Sequence, residues 1–403
     1  MTKGMAERSG AIRWAWGTVR HVRGERPGVQ ELSVRVDGEA NEAAAVAYPA
    51  LVGRCAPGDR VLLNVTAVRL GLGSGGVHFV AAVVGKTGVP AGEDAPGLPE
   101  AMGETGRASA QSLGPPSVGH IVKLRYTPWQ MALPHWEEAG HPLRPRLDEA
   151  ERKARPLAGV PVLLAELHSM VPVLALALRR AAPGLRVAYV MSEGGALPLA
   201  FSRHVAALRA RGDLAGTVTV GHAFGGDVEA VSPHSGLLAA RYALGADVAI
   251  VAMGPGIVGT NSRYGTTATE LGDWVNRVAA LGGVPVLVPR IQGADPRPRH
   301  VGLSHHAATA LALALAPAQV PVPAFAGPFG ERVREQVCAA TAGTPHVVVT
   351  DGLPSADDVA TVLEGYPLPV TTMGRGPRDD LPFFQTLVHA AQAVVRRWFP
   401  EAR

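Results

Sequence analysis

The first 84 residues alternate between short β-rich runs and turn sequences. Turn signals such as Asp37-Gly38 and Pro57-Gly58 separate the runs at short intervals. Five short strands of this kind predict a small all-β, barrel-like domain over residues 1–84, with a structural or oligomerising role. The predicted strands are 12–22, 31–36, 43–52, 60–68 and 77–84.

Residues 85–116 break this pattern, because 12 of these 32 residues are Gly or Pro. Such a composition predicts a flexible linker or a long loop. Over residues 117–403, apolar β-rich runs alternate with Ala- and Leu-rich helical runs, which is typical of βαβ units. We therefore predict a doubly wound α/β domain with a largely parallel sheet. Its predicted strands are 120–125, 160–167, 186–191, 217–221, 247–253, 284–289, 320–325, 346–350 and 369–373.

Four helices in this second domain carry recognisable N-terminal caps. Ser and Thr side chains accept hydrogen bonds from the free N–H groups of a helix's first turn, so they mark helix starts. Thr267 followed by Glu270 has the spacing of a capping box. The predicted caps are Ser232, Thr267, Ser304 and Ser355.

Composition narrows the class of protein. Hydrophobic residues make up 47% and charged residues 18% of the chain, a globular balance. Cys55 and Cys338 lie far apart, which excludes a disulfide framework and a zinc finger and favours a reducing, cytoplasmic setting. The N-terminus lacks the apolar segment of a signal peptide, and prolines interrupt the charge-free stretch 307–330. We therefore predict no membrane association.

The charge balance gives little support to a nucleic-acid partner. The formal net charge is +4, but the basic residues are scattered and aromatic residues make up only 5% of the chain. We therefore expect a small-molecule partner instead, and a homo-oligomer is compatible with the β domain.

The loops that follow the predicted strands differ from those that follow the helices. The loops that follow helices are short and contain few ionisable residues, as at Pro183-Gly184. The loops that follow strands, here called strand exits, are rich in glycine and ionisable residues. Ligands of open α/β sheets bind at the carboxyl ends of the strands. We therefore expect the strand exits to converge on one cleft.

A G-x-G-x-x-G sequence follows the strand predicted at 247–253 and suggests a dinucleotide site. The third glycine of that fingerprint should open a helix, but the helix start is predicted eight residues later, and the next strand ends at Arg290 and not at an acidic residue. A tight turn and a cradle for another polar ligand are the alternatives. The residues of such a cradle are Gly254, Gly256, Gly259, Thr260 and Asn261.

The segment 290–306 predicts an anion-binding pocket, with a solvated basic loop as the alternative. It contains three arginines, and Ser304 as N-cap places His305 and His306 in the first helical turn. The positive end of that helix should keep both imidazoles mostly neutral at pH 7. The arginines that would neutralise the anion are Arg290, Arg297 and Arg299.

Several polar residues at the strand exits are candidates for acid–base chemistry or for binding the substrate. The catalytic candidates are His168, His222, Asp227 and His305, and the further binding candidates are Glu193, Gly225, Gly226 and His306. A metal ion could also be held by a subset of His168, His222, Asp227, His234 and His305, with His168, His222 and Asp227 as the set considered for metal-assisted hydrolysis. No pair has a typical ligand spacing, so no metal ligands are assigned.

These observations predict a cytoplasmic hydrolase or group transferase that acts on a small anionic metabolite, phosphorylated or a nucleotide. No cofactor follows from the sequence. A non-catalytic metabolite sensor or scaffold is the first alternative, and a metal-dependent hydrolase is the second.

Six sequence motifs together resemble a bacterial family known as domain of unknown function 3866 (DUF3866). The resemblance spans nearly the whole chain. It implies no reaction, cofactor or catalytic residue. The motifs are LHSMVP at 167–172, SEGGALPLAF at 192–201, HAFGGD at 222–227, GPGIVGT at 254–260, DPRPRH at 295–300 and LSHH at 303–306.

Overall fold

The structure is a computed structural model that describes residues 13–69, 71, 76–84, 119–125, 129 and 131–402. The chain divides into two compact units, Met1–Leu113 and Gly114–Arg403. The predicted linker, 85–116, lies outside the described residues.

The first unit is a closed five-stranded barrel with the strand order β1-β2-β3-β5-β4. All five predicted strands are confirmed, and buried Leu32, Val34 and Leu63 belong to the barrel core. Two predicted strands are shorter than expected because the short helices α1 (Pro49–Val52) and α2 (Thr66–Arg69) form at their ends. The strands are β1 (Trp14–Arg26), β2 (Val29–Val36), β3 (Glu42–Ala47), β4 (Arg60–Asn64) and β5 (His78–Val84).

The second unit contains twelve strands among the residues that the structure describes. They are β6 (Ile121–Lys123), β7 (Met131–Leu133), β8 (Pro161–Ala165), β9 (Val187–Ser192), β10 (Gly216–Val220), β11 (Val228–Ala230), β12 (Val248–Met253), β13 (Val284–Val288), β14 (Ile291–Gln292), β15 (Gly302–Leu303), β16 (Gln319–Pro321) and β17 (Val347–Val349).

Its helices are α3 (Arg144–Glu151), α4 (Met170–Ala181), α5 (Arg203–Ala210), α6 (Pro233–Leu238), α7 (Glu270–Ala280), α8 (His305–Leu313), α9 (Gly327–Thr341), α10 (Ala356–Leu363) and α11 (Leu381–Trp398). Within the described ranges, no helix combines the length and the apolar character needed to cross a bilayer.

Eight of these strands form one parallel sheet in the order β11-β10-β9-β12-β8-β13-β16-β17. Helices α3, α6, α7, α8 and α9 contribute to the core on one face, and α4, α5, α10 and α11 to the core on the other. The chain leaves β8 towards β9 and later returns past β8 to β13, so the direction of winding reverses near the centre of the sheet. The predicted doubly wound, parallel α/β architecture is confirmed.

Two predicted strands lie outside this sheet. The run predicted at 120–125 contains β6, which pairs antiparallel with β7 in a separate two-stranded sheet. The run predicted at 369–373 is not a strand, because Thr372 and Arg375 exchange backbone hydrogen bonds of 2.8 and 2.9 Å in a tight turn. Strand β11 escaped prediction because it follows β10 without an intervening helix, and Gly221 and Gly225 turn the chain with φ of 61° and 93°.

Three of the four predicted helix caps are confirmed. The hydroxyls of Ser232, Ser304 and Ser355 accept hydrogen bonds from backbone N–H groups of the helices that follow them. At the fourth position, the Thr266 hydroxyl accepts from the N–H of Ala268. A short 3₁₀ turn therefore precedes α7, and the cap lies one residue before the predicted one.

Candidate functional site

The carboxyl ends of β8, β9, β12 and β13 lie side by side at the centre of the sheet, where the winding reverses. An open cavity elsewhere is lined by residues at the ends of α4, α5 and α10, and none of the predicted site residues contributes to it. A ligand site of an open α/β sheet is expected at this switch point, next to the polar residues that follow β8 and β13.

Beyond the ends of β8 and β13, a buried group of charged and amide side chains forms what we call the arginine–carboxylate network. Glu166, directly after β8, is fully buried, and Arg290, after β13, is 2% exposed. Burial of a charge requires compensation by opposite charges and hydrogen bonds. The members of the network are Glu166, Arg290, Gln292, Asp295, Arg297, Arg375 and Asp380.

Arg290 uses all three of its side-chain nitrogens within the network. Its Nη1 donates to Glu166 Oε1 at 3.0 Å, its Nε to Gln292 Oε1 at 2.7 Å and its Nη2 to Asp295 Oδ2 at 3.4 Å. Burial would raise the pKa of Glu166, but the charge of Arg290 and the interactions with His306 and Arg290 together outweigh burial and lower that pKa. Arg290 is therefore a buried structural cation in this structure, and protein partners occupy the guanidinium that was expected to neutralise an anion.

Asp295 binds two further arginines. Arg297 Nε donates to its Oδ1 and Arg375 Nη2 to its Oδ2, both at 2.9 Å. Burial opposes ionisation of Asp295, but the hydrogen bonds from Arg297 and Arg375 outweigh burial and hold its pKa well below the usual range. Asp380 continues the network, because it accepts from Arg375 Nε at 3.3 Å and from the backbone N–H of Gly293 at 2.7 Å.

Three imidazoles meet beside this network, and we call His300, His305 and His306 the histidine cluster. The distances between their ring centroids are 4.1 to 5.1 Å. One nitrogen from each ring lies within 4.8 Å of the others. Four buried nitrogens of the cluster have no hydrogen-bond partner in the described part of the chain: His300 Nε2, His305 Nε2, and Nδ1 and Nε2 of His306.

Local folding brings the three imidazoles together. The two-residue strands β14 and β15 pair, with Ile291 opposite Leu303, and return the chain so that His300 approaches the start of α8. Ser304 Oγ accepts from the N–H of His306 at 3.2 Å and lies 3.0 Å from His300 Nδ1. The capping residue of α8 therefore also orients an imidazole.

Burial is the main cause of the altered acidity in the cluster. It lowers the pKa of His300 to about 3 and that of His305 to about 4, and nearby positive charges act in the same direction. The lowered pKa of His305 agrees with the prediction that this imidazole is neutral at pH 7, and its main cause is burial. Glu166 joins the cluster to the network, since its Oε1 lies 3.4 Å from His306 Nδ1.

The loop after β12 packs against the histidine cluster. A Cβ on Gly259 would lie 2.7 Å from His306 Cε1, so only glycine fits there without displacement of the imidazole. Asn261 Oδ1 accepts a hydrogen bond from Arg299 Nη1, whereas Thr260 Oγ1 donates to the carbonyl of Gly265 at 2.9 Å.

The glycines of the G-x-G-x-x-G sequence serve close packing and turning in this loop. A Cβ on Gly254 would lie 2.2 Å from the carbonyl oxygen of Ala196, and Gly256 has a φ of 99°. None of the three opens a helix, because Thr267–Thr269 is the next helical turn.

His168 is buried after β8, and both of its ring nitrogens have partners. Nε2 lies 2.6 Å from Ser202 Oγ, and Nδ1 lies 3.2 Å from Tyr189 Oη and 3.3 Å from the carbonyl of Met253. Burial lowers the pKa of His168 to about 4. This environment is that of a structural hydrogen-bonding residue.

The remaining predicted residues are distributed over two rims of the sheet. The backbone N–H of His222 donates to Glu193 Oε2 at 2.6 Å at the carboxyl end. Asp227 instead accepts from the N–H of Thr217 at 2.9 Å, near the amino end of β10. Four strand residues span about 13 Å, so Asp227 does not join His222. The structure thus separates the set His168, His222 and Asp227 that was considered for a metal ion.

The backbone amides of the two glycines before Asp227 are also occupied. The N–H of Gly225 donates to Glu229 Oε1 at 2.6 Å, and that of Gly226 donates to Thr219 Oγ1 at 3.1 Å. Both amides, which were predicted to bind a substrate, therefore have protein acceptors.

Sequence reasoning missed several groups at this edge, among them Glu166, His300 and Glu270. His300 stands five residues before His305, and that spacing was a signal, but the partnership depends on the β14–β15 pairing. Glu270 begins α7, and its carboxylate accepts from Ser192 Oγ at 2.6 Å. Burial raises the pKa of Glu270 to about 7.

Comparison with known proteins agrees with the motifs. No curated protein and no solved structure matches the chain, whereas the model of one family matches residues 44–391. That range covers nearly the whole chain and includes the histidine cluster, the network and the glycine loop. The chain therefore belongs to the family described as "Protein of unknown function (DUF3866)".

Proposed function

We propose that this protein is a hydrolase or group transferase that acts on a small anionic molecule at the histidine cluster. One observation carries the proposal: four imidazole nitrogens are buried there without a hydrogen-bond partner in the described residues, and one of them, His306 Nδ1, lies 3.4 Å from Glu166 Oε1. An unsatisfied buried polar atom costs about 1–3 kcal/mol, and native proteins rarely keep several together without a purpose. Imidazole is also the side chain most often used for acid–base chemistry near neutral pH.

The surroundings favour an anion over a neutral substrate. Arg299 holds Asn261 through Nη1, and its buried Nε has no partner within the described ranges. Arg263 lies exposed on the same loop as Asn261. The amino end of α8 adds the partial positive charge of a helix terminus. Arg290 is not part of this proposal, because the network occupies its guanidinium.

Hydrolysis or group transfer is preferred over hydride transfer. The glycine loop lacks the helix start that binds a pyrophosphate in the dinucleotide fold. A cytoplasmic setting is part of the proposal, supported by two unpaired thiols, of which Cys338 is exposed.

A thermal-shift screen with inorganic phosphate, nucleotides, sugar phosphates and carboxylates tests the proposal. We expect one anionic class to raise the melting temperature of the wild type and to be converted on incubation, as measured by chromatography. Arg299→Gln should abolish the shift, whereas Arg35→Gln, at an exposed arginine of the barrel, should retain it. A stabilising anion recovered unchanged would favour a sensor, and the absence of any stabilising anion would contradict the proposal.

A further inference from the structure

The histidine cluster has the composition and geometry of a metal site. Its three imidazoles each present at least one buried nitrogen without a partner among the residues described, and one nitrogen of each lies within 4.8 Å of the others. His300 and His306 are 0% and 4% exposed, so bulk water does not compensate these atoms. A cation at their centre would satisfy several of them at once.

We propose that His300, His305 and His306 bind one divalent transition-metal ion of the zinc type. This inference deepens the proposed function and rests on the same site. Neutral imidazoles suit zinc and its neighbours, whereas magnesium and calcium prefer oxygen ligands. Three protein ligands leave a coordination position for water or a substrate oxygen, which is the arrangement of catalytic zinc sites.

The distances need only a small adjustment. Two imidazole nitrogens on one tetrahedral zinc ion lie about 3.3 Å apart, given zinc–nitrogen bonds of about 2.0–2.1 Å. The corresponding atoms here lie within 4.8 Å. The separations therefore need to shorten by at most about 1.5 Å to reach those of a zinc site.

Groups around the cluster match the second shell of a metal site. Ligating histidines usually bond through their other nitrogen to a carboxylate, carbonyl or hydroxyl, which fixes the ring orientation. Ser304 Oγ lies 3.0 Å from His300 Nδ1, which leaves Nε2 for the ion. Glu166 Oε1 lies 3.4 Å from His306 Nδ1 and thereby favours metal binding through His306 Nε2.

Gly259 allows the loop after β12 to approach His306 closely. A Cβ at this position would lie 3.2 Å from His306 Nε2 and 2.7 Å from Cε1. The loop can therefore approach the imidazole without displacing it.

Metal titration tests the inference directly. Wild-type protein is treated with a chelator, dialysed, and titrated with Zn²⁺ and with Co²⁺, and bound metal is measured by elemental analysis and by cobalt absorption. We expect one ion per chain. His305→Ala and His306→Ala should each weaken binding at least 100-fold, and Ser304→Ala about 10-fold. His21→Gln, at an exposed histidine of the barrel, should bind as the wild type does.

His305 is half-buried, so His305→Ala tests the site even if the fully buried positions tolerate no change; circular dichroism checks that each variant is folded. Absence of a bound ion in the wild type, or equal affinity in the wild type and both histidine variants, overturns the inference. Anions that stabilise a wild type unable to bind Zn²⁺ would refute the metal site alone. Zn²⁺ binding without any effect of anions would refute the proposed function alone.

Discussion

The arginine–carboxylate network and the histidine cluster meet at Glu166 but differ in how far the protein satisfies their polar atoms. In the network, Arg290 donates from all three of its nitrogens and Asp295 binds two further arginines. In the cluster, four imidazole nitrogens lack a hydrogen-bond partner in the described portion of the chain. The comparison teaches that the protein itself satisfies the polar atoms of the network, whereas the unsatisfied nitrogens of the cluster are the place where we propose that a ligand binds.

The largest expected effect concerns the network. Asp295→Asn removes the negative charge that compensates Arg297 and Arg375, and leaves Arg290 with Glu166 as its charged partner. Removal of one partner of a buried ion pair typically costs about 3–5 kcal/mol. We expect a loss of that size in the free energy of unfolding, measured with urea at pH 7.

The control for this prediction is Asp351→Asn. Asp351 forms an ion pair of 2.8 Å with Arg396, but its side chain is 49% exposed. Exposed pairs contribute about 0–1 kcal/mol, so this variant should be nearly as stable as the wild type. Equal losses at the two positions would show that the network is not the stabilising element.

His168→Ala should have the second-largest effect. Its two ring nitrogens have partners in Ser202, Tyr189 and the carbonyl of Met253, so the substitution leaves buried polar atoms unpaired and creates a cavity. Such changes cost about 2–4 kcal/mol together. A loss below about 1 kcal/mol in thermal or urea unfolding would contradict the structural role of His168.

Glu270 extends the comparison to a carboxylate that has no arginine partner in the network. It accepts its hydrogen bond from the hydroxyl of Ser192. Its pKa rises from 4.5 in the unfolded chain to about 7 in the folded protein, because burial disfavours the charged form. The folded state therefore binds this proton more tightly, and the resulting stabilisation, present below about pH 4.5, disappears as the pH rises to about 7.

Relative to Glu270→Gln, the free energy of unfolding of the wild type should fall by on the order of 2 kcal/mol between about pH 4.5 and pH 7.5. Urea unfolding of both proteins at the two pH values gives this difference, in which other titrating groups cancel. A difference that does not change with pH would show that the carboxyl is solvated.

The sequence predicted the fold well because the fold depends on local periodicity. The valine-rich runs correctly predicted the central strands. The Ser and Thr residues before the helical runs correctly predicted three of the four caps. The sequence indicated which edge of the sheet carries the polar residues, but it did not reveal which side chains bind one another there. Arg290 was interpreted as a free cation, because Arg375 and Asp380 join its network from about 80–90 positions away in the chain, and spacing does not reveal such contacts.

A similar reason explains why the positions of His300 and Asp227 were not predicted. His300 enters the cluster because the two-residue strands β14 and β15 pair on either side of its loop, and Asp227 lies at the opposite rim because the three-residue strand β11 follows β10 directly. Elements this short leave almost no periodic pattern, so the sequence could not predict their effect on the site.

His305→Ala should have the smallest effect on stability, and it sharpens the comparison most. It makes the same chemical change as His168→Ala, but it removes an imidazole whose Nε2 has no partner among the described residues. Deleting an unsatisfied nitrogen relieves a penalty that offsets the lost packing, and alanine is the better helix former at the start of α8. In chelator-treated protein we therefore expect a change below about 1 kcal/mol. Added Zn²⁺ should raise the melting temperature of the wild type and leave that of His305→Ala unchanged, since a ligand stabilises only the protein that binds it. A loss equal to that of His168→Ala in the absence of metal would mean that the cluster is satisfied in solution, and the distinction between the two regions would fail.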